Sequence, residues 1–433
     1  MNLLNIKLNN LSNLKIFSLY LFFLLIIFIP SIYYLNLYLS KHPLLINAEN
    51  EIVLKYLLFD YGDLLNNLYY KNEYVQKIQN FDHDFYLARM PFFPFFLLFL
   101  SKISLNFYFI FFVKNLVIFS IIFFCLFFFL KFNKKSIYHF LILLLIFLYN
   151  PYNFHVLLSL DFVDTFVSVF FPIILLLTFN NNNKHTIIFS IFIFILYLSK
   201  SSLWLFCILF PLIFFIVKLI INKNKSKVVY TLPICSVLIA IFIWGFFGLK
   251  KANYFPFGAS ISSTNTYFFN VVTNKSFNDY YPNITVDLLI NRKYDTKKFN
   301  NEKEFYDYFK KENLNFLNNN FEYYLKGVLK KTKFIFFGIY KDGNKEASIE
   351  KIRYSNFPNK ILMNFALVLS IVSLIKSLKK KKINEIDLIY LSMFICYLAP
   401  YLIAWATTKH LVPLFLLSKI YLFLKIFNPK KIN

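Results

Sequence analysis

Residues 81–100 read FDHDFYLARMPFFPFFLLFL. Whether this stretch crosses a membrane decides the topology of everything that follows it. Its apolar part, 92–103, has twelve residues, about 18 Å of helix at 1.5 Å per residue, against a hydrocarbon core of about 30 Å. Pro91 and Pro94 interrupt its start, which suits the first turn of a helix and no later turn. We therefore read 92–103 as a short helix lying at the membrane boundary, with Arg89 at its lip.

The surrounding chain demands a membrane. Its 433 residues are 58% hydrophobic and 22% aromatic, with a mean hydropathy of +0.55. Such values exclude an ordinary soluble domain. The net charge of +25 does not read as nucleic-acid binding, because the basic residues form no compact soluble domain with a recognisable motif. Lysines collect instead at the edges of apolar runs. Cys125, Cys207, Cys235 and Cys396 all lie inside such runs and read as small hydrophobes, with no disulfide or zinc-site spacing. The first apolar run follows a basic N-terminus but lacks a small-residue cleavage site, so it reads as an uncleaved anchor.

Apolar runs fall at 16–38, 105–131, 137–156, 165–179, 186–199, 203–221, 229–249, 361–378, 386–405 and 411–427. This predicts an all-α polytopic membrane protein with about ten transmembrane helices. Parity supports the exclusion of 92–103. With the N-terminus cytoplasmic, the lysine-bearing connections KFNKKS (131–136), NNNNKH (180–185), INKNKSK (221–227) and KSLKKKKINEID (376–387) all fall inside, as does the tail NPKKIN. The short loop 157–164 on the other side carries two aspartates and no lysine, as the positive-inside rule requires. Counting 92–103 as a span would reverse this arrangement. Three regions follow: 1–249, a transmembrane module with a first outer loop at 39–104; 250–360, a large outer segment; and 361–433, C-terminal helices. The outer segment carries 19 Lys+Arg against 11 Asp+Glu, which long translocated segments tolerate. Within it, Phe305, Phe309, Phe316 and Leu317 fall near helical spacing between lysines and predict an amphipathic helical stretch.

Polar residues at the outer edges of the apolar runs are the candidates for chemistry. They are Asp60 and Asp63 in FDYGD, Arg89, Asp161 and Asp164, Lys200 in YLSKSSLWLF, and Lys409–His410. Each also has a plainer role. Paired loop carboxylates are usually solvated, and a lysine at a span end is usually a snorkelling anchor. Lys200 stands out because it occupies an outer turn, where positive charge is disfavoured.

The order of these residues resembles the GT-C glycosyltransferases, polytopic enzymes that use lipid-phosphate-linked sugars. The likeness is greatest to the branch of protein O-mannosyltransferases and the lipid A aminoarabinose transferase. Asp60–Tyr61 takes the place of an Asp–Tyr pair. Arg89-Met-Pro91-Phe-Phe93-Pro94 resembles Arg-x-Pro-x-Tyr-Pro, with Phe93 for the usual Tyr. NPYNFHVLLSLDFVDT resembles a Pro-containing turn followed by an acid, here Asp164 where Glu is usual. YLSKSSLWLF resembles Leu-x-Arg-Pro-Thr, with Lys200 in the arginine's place. KKANYFPFGASISSTNTYFFN resembles an outer segment rich in Ser, Thr and Asn. TTKHLVPLFLL resembles a closing Arg-Tyr-x-x-Pro, as Lys409-His410-Leu-Val-Pro413. Taking Asp60–Tyr61 and Arg89–Pro94 together as one first-loop match, the five matches keep their order over about residues 55–425.

This resemblance implies juxtamembrane helices in the first outer loop and a multi-pass protein of the bacterial inner (plasma) membrane; both termini in the cytoplasm follow from the even parity and the lysine-bearing loops. It implies transfer of a sugar from a polyprenyl-phosphate-linked donor to a glycan, lipid or protein acceptor, with inversion. Asp60, beside Tyr61, would be the acceptor-side base, ahead of Asp63, and Asp164 would share that role or orient the acceptor. On charge grounds Arg89, Lys200 and Lys409 are the phosphate partners, Arg89 alone offering a bidentate fork. His410 reads as a phosphate donor, a metal ligand or interfacial packing. No His/Cys/Asp cluster shows metal-ligand spacing, so no cofactor is assigned and divalent-metal dependence stays open. Besides the donor and acceptor, membrane lipids are the expected partners. Two other classes fit the sequence less well. A polymerase or ligase of lipid-linked glycans typically places paired arginines in its large outer loop, where this chain has Arg292 and Arg353 alone. A lipid or glycan transporter predicts mid-membrane polar residues and Gly/Pro-broken helices in matching halves, against seven glycines in the whole chain.

Overall fold

The computed structural model describes residues 11–41, 63–77, 83–132, 135–148, 162–179, 183–221, 227–260, 299–337, 347–380, 384–403 and 408–427. In chain order the helices are α1 (Asn13–Lys41), α2 (Asp63–Asn66), α3 (Phe92–Ile103), α4 (Phe107–Phe132), α5 (Ile137–Leu148), α6 (Phe162–Phe179) and α7 (Asn183–Ser199). They continue as α8 (Trp204–Ile221), α9 (Leu232–Ala252), α10 (Glu302–Asn319), α11 (Phe321–Phe337), α12 (Ala347–Lys379), α13 (Glu385–Ile403) and α14 (Thr408–Phe427). The β-structure among these residues is one antiparallel pair, Gln76–Lys77 with Asp84–Phe85.

Seven described helical stretches are long and apolar enough to cross a membrane: Leu14–Tyr33, Phe107–Lys131, Ser201–Ile221, Val228–Ala252, Phe357–Lys379, Glu385–Ile403 and His410–Phe427. The chain is thus an all-α membrane protein. The expected runs at 137–156, 165–179 and 186–199 form α5, α6 and α7, which are apolar but shorter. The expected short helix over 92–103 is α3, beginning just after Pro91 with Pro94 in its first turn. The amphipathic stretch is divided in two at Asn320, whose backbone leaves the helical region between α10 and α11. Helix α12 runs without a break through residue 360, the sequence-level boundary of the outer segment.

The core follows from which helices are apolar all round. A helix with no polar face has nothing to offer water, so it is surrounded by other helices or lipid. Residues 166–179 of α6 are buried throughout, and α14 is nearly so from His410 to Phe423. These two helices pack together at the centre, with α4, α7 and α13 against α6 and with α12 and α5 against α14. Helix α1 is peripheral, packed on α4 through Tyr20–Phe123, Phe23–Phe119 and Phe28–Phe112 ring contacts. Of the four cysteines, all free, Cys207 and Cys396 are buried as expected, Cys125 is intermediate, and Cys235 is exposed on the outside of α9.

Two polar clusters lie at opposite ends of the bundle. At the end carrying α3 and α10, which we call upper, lies the candidate site. At the lower end the aspartate of KINEID is a buried anchor. Asp387 is fully buried and accepts hydrogen bonds from Tyr421 Oη at 2.6 Å and from Lys425 Nζ at 2.9 Å. Lys425 also donates to Ser373 Oγ at 3.0 Å, so α12, α13 and α14 meet at one ammonium group. Two residues before Asp387, Glu385 pairs with Lys218 of α8, itself buried.

Removing one partner of a buried ion pair leaves the other charge unsatisfied, at a cost of about 3–5 kcal/mol. Asp387→Ala should therefore lower the thermal unfolding midpoint in detergent by several degrees. Adding Lys425→Met should recover much of the loss, which a purely volumetric defect at Asp387 would not allow.

Candidate functional site

The upper end is built by three segments that fold over the helix tips. The first is the loop leading to α3. It begins with α2 and a single π-helical turn, Asn67–Lys71, closed by Asn72 at φ 57°. Asparagine tolerates this left-handed backbone better than most side chains. Tyr74 then plants its ring against Phe95, Trp244 and Phe247, and its hydroxyl donates to the backbone oxygen of Arg89 at 2.9 Å. Arg89 is partly buried at the N-terminal side of α3.

The second segment is a strap, 253–260, that turns back over α9. Asn253 makes the reversal at φ 58°. Gly245 and Gly248 give the strap room: a Cβ at Gly245 would stand 2.0 Å from the Phe255 ring, and one at Gly248 would stand 2.8 Å from the Tyr254 carbonyl oxygen. The strap's own carbonyls are then met from below. Tyr197 Oη donates to Phe257 O at 2.6 Å, and Trp244 Nε1 donates to Gly258 O at 3.2 Å.

The third segment, α10, locks the other two. Asn301 caps the helix by accepting from the Glu304 amide at 3.0 Å, while the Glu304 carboxylate accepts from the Asn300 amide at 3.0 Å, a reciprocal arrangement close to a capping box. Glu302 turns inward and is 2% exposed. Its carboxylate accepts from the amides of Tyr86 at 2.8 Å and Leu87 at 2.9 Å, and from Ser260 Oγ at 2.6 Å. Ser260 in turn donates its amide to Leu87 O at 2.8 Å. One carboxylate thus joins α10, the strap and the loop carrying Arg89. Burial is the largest influence on Glu302 and lifts its carboxyl above the ordinary 4.5, with the three hydrogen bonds pulling the other way. Nearby, Tyr254 and Tyr86 are also pushed up, chiefly by burial and then by the acidic neighbours.

Beside the strap lies a basic and aromatic cluster around Tyr401. Lys200, half-buried at the end of α7, holds its Nζ 5.8 Å from the centroid of the Tyr401 ring. His410 stacks on the same ring at 4.8 Å, and its carbonyl accepts from Tyr397 Oη at 3.0 Å. Tyr401 Oη and Ser202 Oγ are 3.1 Å apart. On the far side of α13, Lys331 is buried and donates to Leu402 O at 3.1 Å and Ile403 O at 3.4 Å, capping the negative end of that helix. Burial brings the Lys331 ammonium down to about 8.

The sequence-derived residues distribute as follows. Lys200 and His410 meet around Tyr401. Arg89 belongs to the adjoining loop, tied to the Lys200 side through Leu87, Ser260 and the strap, whose Gly258 packs on Ser201. Asp63 begins α2 and is exposed. Asp164 falls in the first turn of α6 and Lys409 in that of α14. Asp60, Tyr61 and Asp161 lie outside the described residues. Among the described residues no three His, Cys, Asp or Glu side chains gather as a metal site would need. Tyr401, Ser202, Tyr74 and Glu302 were not singled out from the sequence. Tyr401 follows Pro400 at a span end, where an aromatic reads as an interface anchor, and Glu302 reads as a solvated first-turn acid.

No protein-family profile, curated protein or solved structure matches this chain.

The clamp carries its own pH dependence. Because the folded carboxyl of Glu302 titrates above its unfolded value, the clamp's contribution is complete below pH 4.5 and declines as pH rises through the raised value. Glu302→Gln should remove that slope. Glu302→Ala should speed exchange of the Tyr86 and Leu87 amides at least about tenfold, since charged hydrogen bonds contribute about 1.5–3 kcal/mol each. Hydrogen-exchange mass spectrometry of peptides spanning 83–90 from pH 4 to 8 reads both effects.

Proposed function

We propose that the chain is an integral-membrane glycosyltransferase that moves a sugar from a polyprenyl-phosphate-linked donor to an acceptor, working at the upper end of the bundle. In this reading the upper end is extracytoplasmic, the short apolar helices α5, α6 and α7 complete a set of about ten spans, and both termini are cytoplasmic. The lysine-rich connections at the lower end support that orientation.

The observation that carries the reading is the junction at Tyr401. Lys200 and His410 are 210 positions apart in the chain, yet both rest on one ring. A departing polyprenyl phosphate needs cationic and hydrogen-bonding groups fixed before the charge develops. The Tyr401 face holds the Lys200 ammonium by a cation–π contact, and the hydroxyls of Ser202 and Tyr401 add donors beside it. Arg89, kept on the same end by Tyr74 and by the Glu302 clamp, supplies the fork for a phosphate's paired oxygens. Lys409, in the first turn of α14, adds a further cation to this end. Asp60 is the proposed acceptor base, removing the hydroxyl proton as the sugar carbon is attacked, with Asp164 sharing or orienting that role.

The test uses membranes holding the full-length chain and a radiolabelled polyprenyl-phosphate mannose, alongside mass spectrometry of surface glycans, lipids and proteins after deletion. Asp60→Asn should abolish transfer while the protein remains folded and inserted. Lys200→Ala should reduce turnover on the order of 10²-fold, as loss of one charge-stabilising donor does, and Lys200→Arg should retain most of it. Full transfer by Asp60→Asn, or an unaltered surface composition after deletion, would overturn the assignment.

A further inference from the structure

A second polar feature, sharing no residue with the upper-end site, lies between α1 and α4. Moving up this interface, Tyr20–Ser120 and the Phe23, Phe28, Phe112 and Phe119 rings fill the contact. Above Phe28 the two helices part around a cavity of about 120 Å³ lined by Ser31, Ile32, Leu35, Asn36, Tyr108, Phe111, Phe112 and Asn115. Its back wall is polar in one place. Asn115 is completely buried, and neither its Oδ1 nor its Nδ2 meets a hydrogen-bond partner among the described residues. Ser31 is buried too, with its hydroxyl donated to Ile27 O at 2.8 Å and its lone pairs free to accept. The rim is mostly apolar: Ile32, Tyr108 and Phe112 are exposed on the outside of the bundle, together with one polar residue, Asn36.

A carboxamide buried in a span without a partner is costly, and polar groups left over in native structures ask for an unseen occupant. The occupant is constrained by the rim. A cavity that opens sideways between two membrane-crossing helices, past an isoleucine, two aromatic rings and an asparagine, opens onto lipid near the end of the α1 span at Tyr33. What reaches it from there is a lipid, with a chain to lie along Leu35, Phe111 and Phe112 and an oxygen for the amide. The carbonyls of ester-linked glycerolipids are the acceptors nearest the hydrocarbon, and the Asn115 Nδ2 group offers two donors.

We propose that this cleft is a binding site for one acyl chain of a glycerolipid, whose ester carbonyl accepts a hydrogen bond from Asn115. The site reads the ester and the chain, not the headgroup. It is separate from the cation cluster at Tyr401 and does not depend on the chemistry proposed there.

The experiment uses the full-length protein in nanodiscs doped with phosphatidylglycerol carrying a diazirine near the carbonyl end of one acyl chain. After irradiation, labelled peptides are mapped by mass spectrometry. The expected result is preferential labelling of peptides containing 31–36 and 108–115, equal for phosphatidylethanolamine of the same chain, and at least fivefold weaker for the diether analogue that lacks the carbonyl. Asn115→Leu should lower labelling at these peptides at least fivefold and leave labelling of α12 unchanged. Ser31→Phe, which fills the cleft without touching Asn115, should do the same. The proposal fails if the wild-type protein takes no label there, the cleft then holding water only. It also fails if ester and ether lipids label it equally, or if neither variant changes the pattern.

Discussion

Helix α13 is held at both ends by lysines from other parts of the chain, and the architecture depends on that restraint. At its lower end Lys425 and Lys218 meet Asp387 and Glu385. At its upper end Lys331 sits on the carbonyls of Leu402 and Ile403. Taking these ammonium groups out of water is unfavourable unless each finds an opposite charge or a row of carbonyl dipoles. Helix α13 provides both kinds of partner, an acidic first turn and an open last turn. Its packing with α6, α8, α12 and α14 therefore has a fixed height as well as a fixed neighbourhood. Tyr397 and Tyr401, one turn apart near the top, inherit that height and present it to His410 and Lys200.

A different restraint controls the loop that bears Arg89. It contains little regular structure, one π turn and one short strand pair, so its shape is set by what lies over it. The strap descends into the notch left by Gly245 and Gly248, and Glu302 closes the backbone groups of Tyr86 and Leu87 from above. Burial of that carboxylate is compensated by three donors arranged around it, the condition under which buried polar networks rigidify a structure. Helix α10 is in this respect a structural part of the site, even though its sequence looks like a lysine-rich amphipathic appendage.

The long helices were legible because apolar runs of span length have few other uses, and α3 was legible as a short helix because its apolar run is brief and prolines stand at its start. Lys200 and His410 were legible singly, as polar groups out of place at span ends. Their meeting was not, because the ring between them belongs to a third helix whose sequence, LAPYLIAW, carries no polar signal. Glu385 and Asp387 were read as charges in a loop, since KKKKINEID has the composition of a solvated turn. Their burial follows from lysines on α8 and α14 that arrive only with the tertiary structure. Glu302 was hidden for a similar reason: among alternating Lys and Glu, nothing local distinguishes the one acid that faces inward. The break at Asn320 was partly visible in LNNNF, where asparagines compete with the helix for backbone hydrogen bonds.

The pinning of α13 has a mechanical consequence. Bilayers differ in thickness, and a spanning helix normally adjusts by tilting or sliding. A helix tied by charge at one end and by its carbonyls at the other has little freedom to slide past its neighbours. Adjustment then falls on the helices whose apolar faces are open to lipid, α1 and α12 above all, with Ile29, Phe365 and Val368 among their exposed side chains. The junction of Lys200, Tyr401 and His410 is thereby insulated from changes in membrane thickness, and the periphery of the bundle absorbs them.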